Sequence, residues 1–340
     1  MSEKIKTIAD IAKLAGVSKS TVSRALNDSP LISQETKLRI HAIAREHQFA
    51  IHQGARNLSL QRTNIMAFVI PLAPDDDYMV TDPFIHKLVG TYAYALNEYD
   101  YDLLIVQVHP EERDWIQKYL DAKRVDGCIL CHAQEFAQEI ATLARRKAPF
   151  IVHGALSPDQ SYCSVSGDDL TGGRLAMQHL LETGRKQIAF IGGVYGETEV
   201  ILRHQSYQET LKEAGIAYDS ALVTYGDYTR KSGYLAMQQL LRQRPELDAV
   251  FANNDVMAIG AIEALREAGR QVPDDVSIVG YDDTVGDNCC PPLTTVRQDI
   301  VKIGKIVVRN LMQYLEDGII TTTIMPVELV VRKSSVPSFA

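Results

Sequence analysis

The chain has 340 residues, of which 46% are hydrophobic and 23% charged, and it carries a net charge of −8. This length predicts two or three folding units, and the composition is typical of a globular protein. The sequence has no run of about 18 apolar residues, which a membrane-spanning helix needs, and its start, MSEKIKTIAD, lacks the apolar segment of a secretory signal. We therefore expect a cytoplasmic protein with no membrane partner.

The five cysteines predict neither a disulfide framework nor a metal site, since an odd number in a reducing compartment is typical of free thiols. Cys128 and Cys131 have the C-x2-C spacing of zinc ligands. They lie in VDGCILC, however, an apolar run that predicts a strand with the two side chains on opposite faces. We expect core cysteines, no metal and no cofactor.

The charge is distributed unevenly along the chain. Residues 1–62 contain ten Lys and Arg against five Asp and Glu, a charge of +5, which leaves −13 for the rest. Attraction to phosphate is local and is screened over about 10 Å. A basic head on an acidic body therefore predicts a DNA-binding module joined to a larger domain of another kind.

Residues 7–26 have the pattern of a helix-turn-helix. Thr7 caps a first helix, and Gly16 permits the left-handed turn that ends it. Ser18 caps a second helix, Lys19–Leu26, whose outer face is polar and basic. A helix pair with this turn and this face is typical of proteins that insert the second helix into the major groove of DNA.

A third helix, capped by Ser33, completes an all-α head at residues 1–50, and residues 51–62 form a thin, weakly helical hinge. Residues 63–340 then alternate strands with helices, which predicts parallel sheets with helices on both faces. We expect two doubly wound α/β subdomains, the first at about 63–162 plus 293–326 and the second at about 163–292 plus 327–340. The predicted strands are Ile65–Ile70, Asp102–Val108, Gly127–Leu130, Phe150–His153, Gln187–Ile191, Ala249–Ala252 and Ser277–Gly280, and the predicted helices include Gly172–Leu181 and Val256–Ala268.

Enzymatic function has little support in the sequence. Gly192 and Gly193 follow a strand without forming a G-x-G-x-x-G loop, and we interpret them as a turn. No nucleophile elbow and no H-E-x-x-H motif occurs. Four histidines are interpreted as loop or surface residues: His109, His132, His153 and His179. We therefore predict that the protein is not an enzyme and has no catalytic residues.

Several motifs in one order make the whole chain similar to the lactose repressor (LacI) family. They are TIADIAKLAGVSKSTVSRALN, VDGCIL, GDDLTGGRLAMQHLLETGRKQIAFIGG, RHQSYQETLKEAG, GDYTRKSGY, FANNDVMAIGAIEAL, VPDDVSIVGYDD and PPLTTVRQD. The resemblance implies a body like the periplasmic sugar-binding proteins, with a ligand between its subdomains. It also implies a homodimer that binds a near-palindromic, double-stranded DNA operator.

The resemblance also implies the residues that contact DNA. Lys19 and Ser20 match base-reading positions, and Leu58 matches the hinge leucine that wedges into a minor-groove base step. The full expected set is Thr7, Ser18, Lys19, Ser20, Thr21, Ser23, Arg24, Asn27, Ala55 and Leu58. The hinge departs from the family at Ile51-His52 and at Asn57, so the resemblance does not predict the centre of the operator.

For the effector, the resemblance implies an arginine, Arg203, that grips the ligand and an aromatic, Tyr228, that stacks on a sugar or purine ring. Asn254, Asp282 and Gln298 match polar cleft residues, and Phe84 is a candidate wall residue. Ser206 stands where the family usually has glycine, and the acidic loop PLAPDDDYMVTDPF is long. Either departure is expected to reshape the pocket.

Together these features predict a repressor of carbohydrate-utilisation genes that a small sugar releases from its operator. Two alternatives remain open at the level of sequence. One is a regulator that needs a corepressor, such as a nucleobase, and the other is a sugar-binding protein that does not bind DNA. A dimer is expected rather than a tetramer, because the C-terminal RKSSVPSFA has no leucine heptads.

Overall fold

The computed structural model describes residues 7–26, 28–49, 62–71, 82–109, 111–112, 114–131, 134–156 and 160–336. The chain divides into two compact units, Met1–Thr63 and Asn64–Ala340. No helix within the described ranges is both long and apolar enough to cross a bilayer.

The first unit is a three-helix head, with α1 at Ile8–Ala15, α2 at Lys19–Leu26 and α3 at Gln34–Glu46. Its small core is built from one apolar face of each helix: Ile11, Ala12, Ala15, Val22, Ala25, Ile40 and Ala44. Gly16 ends α1 in the left-handed conformation, with φ of 65°, as the sequence predicts. The tight turn that Gly16 allows brings α2 against α1, so the exposed face of α2 is held rigidly.

The second unit is an α/β body with two sheets. Its elements in chain order are β1 (Ile65–Pro71), α4 (Pro83–Asn97), β2 (Asp102–Val108), a π-helical turn (Gln117–Asp121), β3 (Gly127–Leu130), α5 (Ala137–Arg146), β4 (Phe150–His153), β5 (Cys163–Gly167), α6 (Asp169–Glu182), β6 (Ile188–Gly192), α7 (Thr198–Glu213), β7 (Val223–Tyr225), α8 (Arg230–Gln243), β8 (Ala249–Ala252), α9 (Asp255–Glu267), β9 (Ser277–Asp282), β10 (Thr294–Arg297), α10 (Ile300–Asp317), β11 (Thr322–Met325) and β12 (Glu328–Val330).

The first sheet has the strand order β11-β5-β4-β3-β1-β2 and is parallel throughout. The second has the order β12-β10-β9-β8-β6-β7, with β12 antiparallel to β10 and the other pairs parallel. Both sheets are covered by apolar cores on both faces, as parallel sheets require. Along β1, for example, Met66 and Phe68 face one core while Ala67 and Val69 face the other.

The chain passes between the two sheets a few residues later than predicted. We expected the subdomain boundaries at about 163 and 293, but β5 lies in the first sheet and β10 in the second. The prediction was wrong because both strands are short and rich in small or polar residues, CSVSG and TTVR, so neither has the apolar run that marks the other strands. The third passage falls between β11 and β12.

The C-x2-C cysteines lie in the cores, as predicted. Cys128 packs on one face of the first sheet and Cys131 on the opposite face, and both are free thiols. Burial raises the pKa of both thiols, to well above its ordinary value in the case of Cys131. Neither thiol is therefore primed to bind a metal.

Candidate DNA-binding and effector-binding sites

The predicted base-reading face of α2 is exposed. Lys19, Ser20 and Arg24 lie on the surface, whereas Val22 and Ala25, on the opposite side of the helix, are buried in the head core. Neither Lys19 nor Arg24 forms an ion pair with a described carboxylate. Exposed cations with this freedom are suited to DNA phosphates and to base edges in the major groove.

Two of the expected DNA-contacting residues also cap helices. The Ser18 hydroxyl lies 3.1 Å from the backbone nitrogen of Thr21 and accepts its hydrogen. Thr7 forms a capping box with Asp10, whose carboxylate accepts from the Thr7 backbone nitrogen at 3.0 Å. These caps fix the helix starts. Thr21 and Ser23 are half-buried beside the exposed face, and Asn27, Ala55 and Leu58 lie outside the described residues.

In the body, the structure brings all six expected effector residues to one cavity between the two sheets. The space there that no atom fills is about 600 Å³, which includes the solvent at its mouth. Its walls are formed by Asp82, Phe84, Cys131, His153, Gly154, Ala155, Ser166, Gly167, Asp169, Glu199, Arg203, Tyr228, Asn254, Asp282 and Gln298. The cavity lies at the carboxyl ends of parallel strands, where α/β sheets usually bind ligands.

Arg203 is the cationic side chain of the cavity, and it is held from three sides. Its Nε donates to Oδ1 of Asp169 at 2.8 Å, and its Nη2 lies 2.7 Å from the same oxygen. Its Nη1 donates to the carbonyl oxygen of Asn253 at 2.6 Å, and the guanidinium lies 3.5 Å from the ring centroid of Tyr281. Burial raises the pKa of Asp169, and Arg203 offsets only part of that rise.

Tyr228 and Asn254 form one wall of the cavity. Tyr228 has a φ of 68°, and its ring covers Gly193, where any side chain would collide with it. The Asn254 side chain accepts from the backbone nitrogen of Met257 at 2.8 Å and donates to the carbonyl oxygen of Tyr228 at 3.1 Å. The turn at Gly193 is therefore a platform for an aromatic ring, which the sequence pattern did not indicate.

Asp282, at the end of β9, and Gln298, just after β10, form a polar pair in the cavity wall. Gln298 donates from Nε2 to Oδ1 of Asp282 at 2.7 Å, and its amide oxygen packs against Gly167, where a side chain would not fit. Burial raises the pKa of Asp282 to about 7, although Arg203 lowers it. Hydrogen bonding thus orients one polar pair toward the ligand space.

Phe84 lies on the wall contributed by the first subdomain, at the start of α4. Asp82 caps this helix by accepting from the Phe84 nitrogen at 2.7 Å. The Phe84 ring is 5.8 Å from the ring of His153, whose Nδ1 lies 2.5 Å from the Tyr92 hydroxyl. Our interpretation of His153 as a loop or surface residue was wrong, because it ends β4 and is only 7% exposed.

The two regions match two family models. Residues 7–50 match the bacterial regulatory proteins of the lacI family, and residues 177–335 match a periplasmic binding protein-like domain. The chain is 35% identical over 328 residues to the HTH-type transcriptional regulator CelR of Thermobifida fusca, covering 95% of each protein. This protein belongs to the LacI family. It is therefore a DNA-binding transcriptional regulator with a small-molecule effector.

Two solved structures resemble this LacI-family chain over nearly all of its length. A complex of the transcriptional regulator CelR with cellobiose is 32% identical, covers 97% of this chain and 100% of its own, and gives a TM-score of 0.74. The lac repressor dimer bound to operator and the anti-inducer ONPF is 26% identical. It covers 98% of this chain and 100% of its own, and it gives a TM-score of 0.83. The arrangement of two α/β subdomains is thus that of the family.

Sequence reasoning missed five polar residues of the cavity of this LacI-family member: Asp82, His153, Ser166, Asp169 and Glu199. Two of them had a signal. Asp169 is the second aspartate of the quoted GDDLTGG, and Glu199 lies one helical turn before Arg203, on the same face of α7. Ser206, which we expected to reshape the pocket, instead packs against Gly173 between α6 and α7. Most of the acidic loop, residues 72–81, lies outside the described residues.

Proposed function

We propose that this protein represses carbohydrate-utilisation genes and that a small saccharide in the cavity releases it from a near-palindromic operator. The observation that carries the proposal is the cavity itself. Asp282 and Asn254, whose carboxylate and amide groups suit vicinal hydroxyls, line the same cavity as Tyr228, whose ring suits the C–H side of a sugar. The complex of the relative CelR with cellobiose supports the same class of ligand.

The proposed mechanism joins the head and the body in a homodimer. Each head inserts α2 into a major groove, with Lys19 and Ser20 at base edges and Arg24 beside them. The hinge leucine Leu58, together with Ala55 three positions before it, unstacks a base step at the operator centre. A saccharide that binds one arrangement of the two subdomains better than the other shifts the population and weakens the operator complex. We propose no catalytic step.

The first experiment measures operator affinity by fluorescence anisotropy while cellobiose, ribose and other neutral saccharides are titrated. We expect at least one of them to weaken the complex by about tenfold or more, which corresponds to about 1.4 kcal/mol. If no saccharide weakens binding and a nucleobase tightens it, the protein is regulated by a corepressor instead.

The DNA-binding part of the proposal is tested by Lys19→Ala, with Lys13→Ala as the matched control. Both lysines are exposed, but Lys13 lies on α1, away from the proposed base-reading face. We expect Lys19→Ala to weaken operator binding by about tenfold and to reduce its salt dependence. Equal effects of the two substitutions on operator affinity would contradict the proposed insertion of α2 into the major groove.

A further inference from the structure

The charges around the cavity restrict the kind of saccharide that it accepts. Among its described lining residues, four are carboxylic acids, Asp82, Asp169, Glu199 and Asp282, and the cation is Arg203. On the basis of the proposed function, we propose that the effector is an uncharged saccharide and that Glu199 makes this site reject saccharides carrying a carboxylate or a phosphate.

The cation of the cavity is not available to an anionic ligand. Arg203 contacts Asp169 through both Nε and Nη2, and its Nη1 donates to a backbone carbonyl. The Asp169 carboxylate therefore balances the charge of the guanidinium. A phosphate or carboxylate entering the cavity would have to compete with a buried aspartate that is already bound, and sites for such anions usually offer a free arginine fork.

Glu199, on the second subdomain, lies close to the first subdomain at the cavity wall. It lies in the first turn of α7, and its Oε1 is 3.8 Å from the position that a Cβ would take at Gly154. Because Gly154 has no side chain, nothing from β4 covers the Glu199 carboxylate here, and both residues line the same cavity. Within the described ranges no lysine or arginine forms an ion pair with Glu199. Its carboxylate is thus placed to accept hydrogen bonds from hydroxyl groups and to repel anions.

The groups that face Glu199 make its charge depend on pH. Glu197 lies at the start of the same helix, Asp169 and Arg203 lie beside it, and Cys131 and Tyr228 complete its surroundings. Burial raises the pKa of Glu199 to about 7, with further contributions from Glu197 and Asp169, and Arg203 lowers it. The ionised fraction of Glu199 therefore rises between pH 6 and pH 8.

The test is isothermal titration calorimetry of the full-length protein with two matched pairs of probes. The pairs are cellobiose with cellobiouronate, its 6-carboxyl form, and ribose with ribose 5-phosphate. At pH 8 we expect the neutral member of at least one pair to bind, and its anionic counterpart to bind at least about tenfold more weakly. At pH 6 a sugar carboxylate stays ionised, and we expect the difference in affinity (the gap) between cellobiose and cellobiouronate to narrow.

The anionic probe is also larger, and a poorer steric fit would weaken its binding even without charge repulsion. The substitution Glu199→Gln distinguishes these two causes. This substitution keeps the size of the side chain and removes the charge. We expect it to narrow the difference in affinity at pH 8 and to reduce the pH dependence of that difference, of which Asp282, with a pKa also raised to about 7, supplies the remainder. Glu316→Gln, which removes an exposed charge on α10, is the control and should leave the gap unchanged.

Three results would overturn the inference. An anionic probe that binds as tightly as its neutral partner would contradict it while leaving the proposed carbohydrate effector in place. If Glu199→Gln does not narrow the difference in affinity at pH 8, Glu199 is not the residue that rejects anionic saccharides. If none of the four probes binds, the inference fails for these two saccharides, whereas the proposed function is contradicted only if no neutral saccharide weakens operator binding.

Discussion

At the scale of single residues, the cavity is dominated by charges that depend on one another. Arg203 and Asp169 are both buried, at 5% and 4% exposure, and each is the main partner of the other. Burying such a pair requires free energy for desolvation. Replacing both members therefore destabilises the folded state much less than removing only one of them. The pair therefore fixes α7 against α6 at the cavity wall.

We predict that Arg203→Met destabilises the protein by about 3–5 kcal/mol, because it leaves the Asp169 charge buried without its partner. In the double variant with Asp169→Asn, we expect about half of this loss to be recovered. Urea unfolding of the wild type, both single variants and the double variant measures the coupling. Additive effects of the two substitutions would show that the pair does not act as a unit.

The second prediction at this scale concerns Asp282 and pH. Because burial raises its pKa in the folded state to about 7 from an ordinary value of 3.8, ionisation opposes folding. The neutral carboxyl group of Asp282 therefore stabilises the folded state. This stabilisation is present in full below about pH 4 and is lost as the pH rises through 7. Asp282→Asn lacks this dependence. We expect its stability relative to wild type to improve by about 1–3 kcal/mol between pH 5 and pH 8.

Urea unfolding at the two pH values measures this difference, and Glu316→Gln controls for the loss of a negative charge elsewhere. The comparison with wild type is necessary because Asp227, Asp283 and Glu263 have lowered pKa values and contribute in the opposite direction. A relative stability that does not change with pH would contradict the assigned burial of Asp282.

At the scale of elements, the helix pair of the head depends on its turn. Gly16 has a φ of 65° and has open space around the position of a Cβ, so a substitution there is penalised by backbone conformation and not by crowding. The three-helix core is small, and a change in this turn affects the placement of α2 directly.

We predict that Gly16→Ala destabilises the head by about 1–2 kcal/mol, since an L-residue with a Cβ is strained in this region. Gly16→Asn is the matched control, because asparagine tolerates the left-handed conformation at the end of a helix. Thermal unfolding of the head and operator affinity are the two measurements. Equal losses for alanine and asparagine would show that crowding, and not backbone strain, decides the effect.

At the scale of the whole molecule, a few contacts join the two subdomains of the body beside the connecting segments. Lys87 on α4, in the first subdomain, donates from Nζ to the carbonyl oxygen of Asp283, in the second, at 3.1 Å. Asp283 is itself held by Arg297 at 2.7 Å and by Arg332 at 2.8 Å. This contact favours the present arrangement of the subdomains over one in which they separate.

We predict that Lys87→Met changes the effector concentration for half-release from the operator by about two- to tenfold, because a hydrogen bond of this kind contributes about 0.5–1.5 kcal/mol. Its thermal stability should stay close to that of wild type. Lys118→Met, on the same subdomain and 5.5 Å from the ring of Tyr119, is the control. An unchanged response would show that the contact does not distinguish the two arrangements.

The sequence by itself determined the head and the general plan of the body. Capping residues, one glycine and the period of apolar residues are local signals, and they gave α1 to α3 and the central strands with small errors at the ends. The motifs also identified six residues that the fold brings to one cavity, Phe84 and Arg203 among them, although their roles remain proposals.

Only the tertiary structure decided the passages between the sheets and the charge of the cavity. Short polar strands such as β5 and β10 have no apolar pattern of their own, because the sheet that they join supplies their stability. Asp82, Asp169 and Glu199 are far apart in the chain, and no sequence signal shows that all three line the same cavity. Burial and proximity, which change the pKa of a carboxyl group, arise only when the two subdomains are folded around one space.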